Sequence, residues 1–496
     1  MTEQRPLALL ERYQLSRINV GVPATVCLTA LLRLGSAQSS QFEATLARAV
    51  SVLVQRYPLL RCGVAGARTA TPRWTPLDSS APSQFIGTAA AELDFRPSGN
   101  DDAAAGVICA AFKHMSRVDP EEGPLWRVWA IEDGEDTARR RVVYATNHIL
   151  TDGTGARNLF ADLLALLHPN NLPPLSEETK TAPTEPLPPP MESVFDLSLS
   201  FVDMAKVVWS EILAPNLLPR LLRPAEPPIF HRAPLIPPHA QPTAVPRTFT
   251  LPASLVGDLK AAAKSNRVAT LHPVLYIAGL AAIEAHQFPP DSVIVGSTPA
   301  SVRALAPTSL PHATGNYVYE VKVPHPATAL LPFWSECRSY AEKLADPATR
   351  QHGLKEIGQL ALVPDGPISP AAPTTKYDAW MTERAQKAEP FETTFEVSNL
   401  GVLPPTGWEG AHGDDEAGHL VELEWAQTAM TGTIFAINPI AFRGGDLSFT
   451  LTYRAGTVEE SLVDRIWSSY EDILRRVAAG RVPASATFAQ LGAAAA

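Results

Sequence analysis

Cysteine is scarce in this chain. Four residues in 496 (Cys27, Cys62, Cys109 and Cys337) stand far apart, and no two form a Cys-x-x-Cys pair. That spacing argues against a disulfide scaffold and a thiolate zinc site, and it suits a reducing compartment. Positive charge is also in deficit, with 41 Lys and Arg against 51 Asp and Glu and a net charge of −10. The broad basic footprint of a nucleic-acid binder is therefore missing, although a local basic pocket for a phosphorylated ligand stays compatible. No uninterrupted apolar run reaches the roughly 18 residues that span a bilayer. The opening residues MTEQRPLALLERYQLSR carry charge where a signal peptide needs an apolar core. The expectation is a cytoplasmic protein, with contact to a lipid or membrane surface left open. A nucleotide-phosphate cradle is missing too: Gly153-Thr154-Gly155 lies between a strand and a helix, but Asn158 stands where a dinucleotide loop needs a third glycine, and no Walker A string occurs.

What is present suffices for more than one core. Hydrophobic residues make up 45% of the chain and charged residues 19%. Single cores stop growing beyond roughly 250–300 residues, so two or three domains are expected. Proline marks the boundary, because the stretch from Pro183 to Pro246 holds a PLPPP run and repeated Pro pairs that cannot build regular core structure. The chain thus divides into 1–182, a Pro-rich crossover 183–246 and 247–496. Within the crossover, Val194, Leu197, Phe201, Met204, Val208 and Ile212 recur at helical spacing. This stripe reads as a helix packed on its own protein or as one lying on a lipid surface, and an acid-rich polar face weakens the second reading.

Before the crossover, 25–35 reads as a strand and 39–57 as a helix capped by Ser39 or Ser40 and stopped by Pro58. PLLRCGV, 124–132 and 141–146 read as strands, and 153–167 as an amphipathic helix. After the crossover, strands are expected at 247–252, 292–298, 433–438 and 447–454, and helices at 254–265, 270–285 and 458–477. Leu447, Phe449, Leu451 and Tyr453 alternate with Ser448, Thr450, Thr452 and Arg454, the pattern of a half-buried strand. The Ala-rich tail after Arg481 reads as a loose terminus. Strands and helices in similar supply on both sides predict an α/β (α+β) protein of two comparable domains with a cleft between them.

The chemistry concentrates in Asn147-His148-Ile149-Leu150-Thr151-Asp152-Gly153, between a strand and a helix. A His at a strand end can project one ring nitrogen into a cleft while a backbone carbonyl holds the other and fixes the tautomer, which suits general-base work on a hydroxyl. Asp152 would orient this loop, either as a helix N-cap or through a buried ion pair with an Arg. The competing reading is a surface loop in which His148 is incidental. His412, Asp414, Asp415 and His419 keep metal-like company, but Gly410, Gly413 and Gly418 surround them, so a solvated loop is expected and no metal site. Lys260, Lys264 and Arg267 fit either coenzyme phosphates or an exposed helix face.

LERYQLSRINVGVP, PLWRV at 124–128, NHILTDG, PLPPP-MES, SNLG at 398–401 and GGDLSFTLTYR, in that order, resemble the fungal alcohol O-acetyltransferases. Those belong with the chloramphenicol-acetyltransferase-like (HxxxD) acyltransferases. The DFGWG string of plant BAHD enzymes and the doubled His of condensation domains are missing, the latter because Asn147 precedes His148. The resemblance implies two domains of one topology, a central channel, and His148 approached from opposite faces by acyl-CoA and a small-molecule alcohol. It also implies a structural Asp152 pointing away from the reaction. Acetyl-CoA would be a co-substrate, with no permanently bound cofactor and a monomeric protein. Arg303, after the 292–298 strand, is the candidate partner of Asp152, an ordinary surface Arg being the alternative. Thr393, Thr394, Ser398 and Asn399 are oxyanion or channel candidates, Gly153 completes the motif, and Gly401 is expected to permit close backbone approach. A longer-chain acyltransferase, a condensation-type enzyme forming esters or amides, and a non-catalytic ligand- or lipid-surface-binding protein are the rival readings.

Overall fold

The computed structural model describes residues 5–93, 103–133, 136, 138–169, 171, 187–209, 243–286, 293–326, 328–368, 374–386, 391–409, 418–429 and 431–492. Twelve strands are present among them: β1 Thr25–Arg33, β2 Cys62–Ala65, β3 Arg73–Pro76, β4 Trp126–Glu132, β5 Arg139–Asn147, β6 Ala244–Leu251, β7 Val293–Ser301, β8 Val318–Pro326, β9 Phe391–Val397, β10 His419–Gln427, β11 Gly432–Ala441 and β12 Leu447–Arg454. They form a four-stranded sheet ordered β10-β1-β5-β4, a six-stranded sheet ordered β6-β12-β11-β9-β7-β8, and the ribbon β2-β3.

The first sheet is antiparallel throughout, and β5 is buried from Arg140 to Asn147 because its Val, Tyr and Ala residues are covered on both faces. One face packs on the helices Phe42–Arg56 and Gly153–Leu167 through Val26, Leu28, Leu46, Leu53, Tyr144 and Phe160. The other packs on Ala103–Met115, a helix the sequence pattern did not reveal. In the second sheet β9 runs parallel to both β7 and β11. Its core gathers Tyr276, Trp334, Phe395, Ile437, Phe449 and Tyr470 beneath the helices His272–Glu284, Phe333–Ala345 and Glu460–Ala478.

The two halves of the chain do not keep to separate sheets. β10, from the 247–496 segment, completes the first sheet by pairing with β1, with Val26 opposite Gln427. This exchange also corrects the half-buried reading of β12, whose eight residues are all buried. Its polar side meets the first sheet, where the Thr452 hydroxyl donates to the Gln427 carbonyl at 2.5 Å.

Local sequence signals and the structure differ elsewhere. The helix Phe42–Arg56 starts after Gln41, not from a Ser39 or Ser40 cap, and Pro58–Arg61 is a 3-10 turn leading into β2. The expected crossover helix is broken: Met191–Val194 and Phe201–Val207 are separate short helices, and Phe201 is 80% exposed while Leu197 is buried. Ile212 lies outside the described residues. The tail is docked, since Val482, Ala486, Phe488 and Leu491 are buried and Phe333 N–H donates to the Ala486 carbonyl at 2.9 Å. No helix among the described residues is long and apolar enough to cross a membrane.

Candidate active site

β5 delivers Asn147 at its end, and the chain then turns tightly. His148 N–H donates to the Ala24 carbonyl at 2.9 Å, Leu150 N–H to the Asn147 carbonyl at 3.1 Å, and the Asn147 side chain accepts from Ile149 N–H at 3.2 Å. The helix Gly153–Leu167 follows at once, with Asp152 as N-cap accepting from Gly155 N–H at 2.9 Å. The loop 311–317 of the second half lies against this turn. Gly315 N–H donates to the Leu150 carbonyl at 2.9 Å, the Thr151 hydroxyl to the Ala313 carbonyl at 3.0 Å, and Asn158 Nδ2 to the His312 carbonyl at 2.8 Å.

The structure brings Asp152 and Arg303 together. Arg303 Nη1 donates to both carboxylate oxygens, at 2.6 and 2.5 Å, and Tyr317 N–H adds a bond to Oδ2 at 2.8 Å. Arg303 also donates from Nη2 to the Gly315 carbonyl at 2.8 Å and covers the Tyr317 ring. Burial alone would raise the Asp152 pKa. The Arg303 charge and the Gly155 and Tyr317 hydrogen bonds outweigh it and hold the group below the usual carboxylate range. With its oxygens so occupied, Asp152 is bonded to the loop and not to the imidazole.

Asn316 supplies what the motif does not. Its Nδ2 donates to the His148 carbonyl at 3.0 Å and to the Ile149 carbonyl at 3.1 Å, which fixes the amide orientation. Its Oδ1 therefore faces His148 Nδ1, at 3.1 Å, as acceptor. Nδ1 carries the proton, and Nε2 keeps a free lone pair. Burial holds the His148 pKa below its ordinary value. Its own backbone carbonyl, Asp152 and Asn316 act the other way, while the Arg17 charge adds to the lowering. The arrangement is a neutral imidazole, oriented from behind, with a basic nitrogen in front.

The remaining candidates divide. The Thr393 hydroxyl donates to the Gly432 carbonyl at 3.1 Å, and Thr394 Oγ1 accepts from Val295 N–H at 3.2 Å, so both are engaged within the second sheet. Ser398 is buried, and its hydroxyl has no partner among the described residues. Asn399 Oδ1 accepts from Gly401 N–H at 2.8 Å, which leaves its amino group available. The expectation for Gly401 is corrected: a Cβ there would meet nothing within 4 Å, and glycine serves the φ of +69° instead. Gly153 is the closer contact, since a Cβ added there would fall 3.0 Å from Leu400 Cδ2. Gly155, not singled out from the sequence, is tighter still: its Cβ would lie 2.1 Å from Thr151 Oγ1 and 2.9 Å from Arg303 Nη2. Lys260, Lys264 and Arg267 are not buried among neighbours. His412, Asp414 and Asp415 lie outside the described residues, and His419 opens β10.

A family model described as alcohol acetyltransferase matches residues 100–474. No curated protein matches the sequence. Among solved structures, TRI3 trichothecene 15-O-acetyltransferase from Fusarium sporotrichioides is similar over 96% of this chain and 95% of its own, with a TM-score of 0.65 at 14% identity. Polyketide synthase associated protein 5 from Mycobacterium tuberculosis is similar over 96% and 100%, with a TM-score of 0.56 at 14% identity. The condensation domain from the Monacolin K polyketide synthase MokA covers 98% and 99%, with a TM-score of 0.55 at 12% identity. At these identities the likeness establishes the fold, the two-lobed α/β architecture shared by chloramphenicol-acetyltransferase-like and condensation-domain proteins.

Proposed function

The chain belongs to the alcohol acetyltransferase family, and from that premise we propose that it transfers an acetyl group from acetyl-CoA to the hydroxyl of an alcohol or hydroxylated secondary metabolite, with His148 as general base. The observation that carries this reading is the Asn316 clamp, which leaves Nε2 of a neutral His148 unprotonated. In a ternary complex Nε2 takes the alcohol proton while the alcohol oxygen attacks the thioester carbonyl carbon. The resulting oxyanion needs a donor already in place. Thr394 Oγ–H, Ser398 Oγ–H and Asn399 Nδ2 are the sequence candidates with hydrogens to give, whereas Thr393 donates elsewhere. Collapse breaks the carbon–sulfur bond, and the imidazolium returns its proton to the departing thiolate.

Asp152 and Arg303 take no part in the proton transfer. They hold the 147–153 turn against the 311–317 loop, and so hold His148 against Asn316. Mass spectrometry of reactions containing acetyl-CoA and a panel of alcohols tests the assignment, with an O-acetyl ester and an equal amount of free CoA as the expected products. The condensation-domain likeness supports a second reading, ester or amide formation from carrier-bound acyl groups. Product formed only from an acylated carrier protein, and not from acetyl-CoA, would favour that reading and sink the first.

A further inference from the structure

One cation near His148 has no role in the proton transfer. Arg17 lies on the helix Leu9–Asn19, whose Arg12, Ser16 and Asn19 bind Asp378 on another side. Its side chain is directed differently: Nε donates to the Val22 carbonyl at 3.3 Å, two residues before the Ala24 carbonyl that receives His148 N–H. Arg17 is only 8% exposed. Among the described residues, its two terminal amino groups nonetheless have no hydrogen-bond partner and no carboxylate within ion-pair distance. They are not sealed in either, because neither is among the buried polar atoms that lack both partner and access.

Glu396 on β9 lies within reach of the Arg17 charge. Its Oε1 accepts from Gln427 Nε2, a bond that joins the second sheet to β10 of the first, one rung from the β1–β5 pair Thr25–Asn147. In the parallel register Glu396 faces Ser297 of β7, whose buried hydroxyl also lacks a partner among the described residues. Burial, and after it the Glu320 carboxylate, push the Glu396 carboxyl up, while the Arg17 charge is close enough to oppose the shift. A desolvated guanidinium that acts on His148 and a carboxyl inclined to keep its proton are thus gathered near the general base. Such groups are costly to leave without partners. A hydrocarbon alcohol would offer them none. The phosphates of the coenzyme lie at the far end of the pantetheine arm from the thioester, so they do not fit a cation this close to His148.

We propose that Arg17 and Glu396 form a second polar contact for the acceptor, so that the alcohol acylated here carries another oxygen-bearing group, a hydroxyl or a ketone, besides the one that reacts. This rests on the acyl-transfer reading and narrows its substrate class. A pocket built to hydrogen-bond a substrate oxygen discriminates strongly against the analogue without it, because its own polar groups are then stranded.

The test compares monohydric alcohols with oxygenated partners on the same skeleton: 1-octanol against the octanediols, and decalol against keto- and hydroxy-decalols, all with acetyl-CoA. The wild-type protein should favour the better oxygenated member by about 100-fold or more in kcat/KM. Arg17→Met and Glu396→Leu should reduce that ratio to below about tenfold, chiefly through KM for the oxygenated acceptor. Glu396→Gln, a neutral donor of the same shape, should largely keep it. Transfer by the wild type with no preference overturns the proposal and leaves acyl transfer standing. Variants that lose activity on both classes in proportion, with the ratio intact, assign the two residues a structural role and also overturn it. No transfer to any member by the wild type defeats the underlying acyl-transfer reading instead.

Discussion

Asn316 grips His148 at two points, giving Nδ2–H to its backbone carbonyl at 3.0 Å and taking Nδ1–H on Oδ1 at 3.1 Å. The two residues come from different halves of the chain and different lobes of the fold. The tautomer of the base therefore depends on the lobes being docked.

Asn316→Ala should lower kcat by about 10- to 100-fold with a smaller change in KM, since it frees the ring and removes the fixed tautomer while leaving Nε2 present. Asn316→Asp places a carboxylate against Nδ1 and should raise the pH at which activity is half-maximal. Steady-state kinetics across pH 5 to 9 checks both.

For the unaltered protein the pH profile has a definite sign. The base is active when neutral, and burial lowers its pKa from 6.5. The acid limb of kcat/KM should therefore have its midpoint below 6.5 and be flat through neutrality. A midpoint above 7 would contradict the buried, neutral imidazole.

The Asp152–Arg303 pair is buried, at 2% and 12% side-chain exposure. Removing one partner strands the other, so Asp152→Ala or Arg303→Met should each cost about 3–5 kcal/mol of stability. The double variant should cost less than the sum of the two. Because the folded-state pKa of Asp152 is depressed below 3.8, its contribution is complete above that pH. It is lost only as the pH falls through the lower folded value. Urea denaturation at pH 7 and at pH 3 measures both effects.

Two glycines should respond differently. Gly155→Ala drives a methyl into Thr151 and Arg303, and should cost about 1–3 kcal/mol and disturb activity by loosening the loop. Gly401→Ala meets open space and suffers only from the positive φ, about 1–2 kcal/mol, and Gly401→Asn should recover part of it. Thermal denaturation of the three variants separates crowding from backbone strain.

The site was legible where chemistry is local. His148 and the Asp152 cap could be read because β5 is apolar from Val142 to Ala145, the next helix begins at Gly153, and the turn between them is short. Asn316 could not. Nothing in HATGNY distinguishes a clamp from a polar loop until the second lobe folds onto the first. The same holds for β10, whose alternating residues carry no mark of a partner as distant in the chain as β1. The threonine face of β12 looked solvated because side-chain polarity reports what a residue tolerates, not what covers it. Gly401 was misassigned because glycine serves both close approach and positive φ, and sequence alone does not separate the two.

The most direct measurement is alcohol-dependent release of free thiol from acetyl-CoA by the wild-type protein and by His148→Ala, with folding of the variant checked by circular dichroism. Release should keep step with ester formation, and kcat should fall by at least about 100-fold in the variant. A folded His148→Ala protein that releases thiol within about tenfold of the wild-type rate would contradict the assignment of His148 as the base.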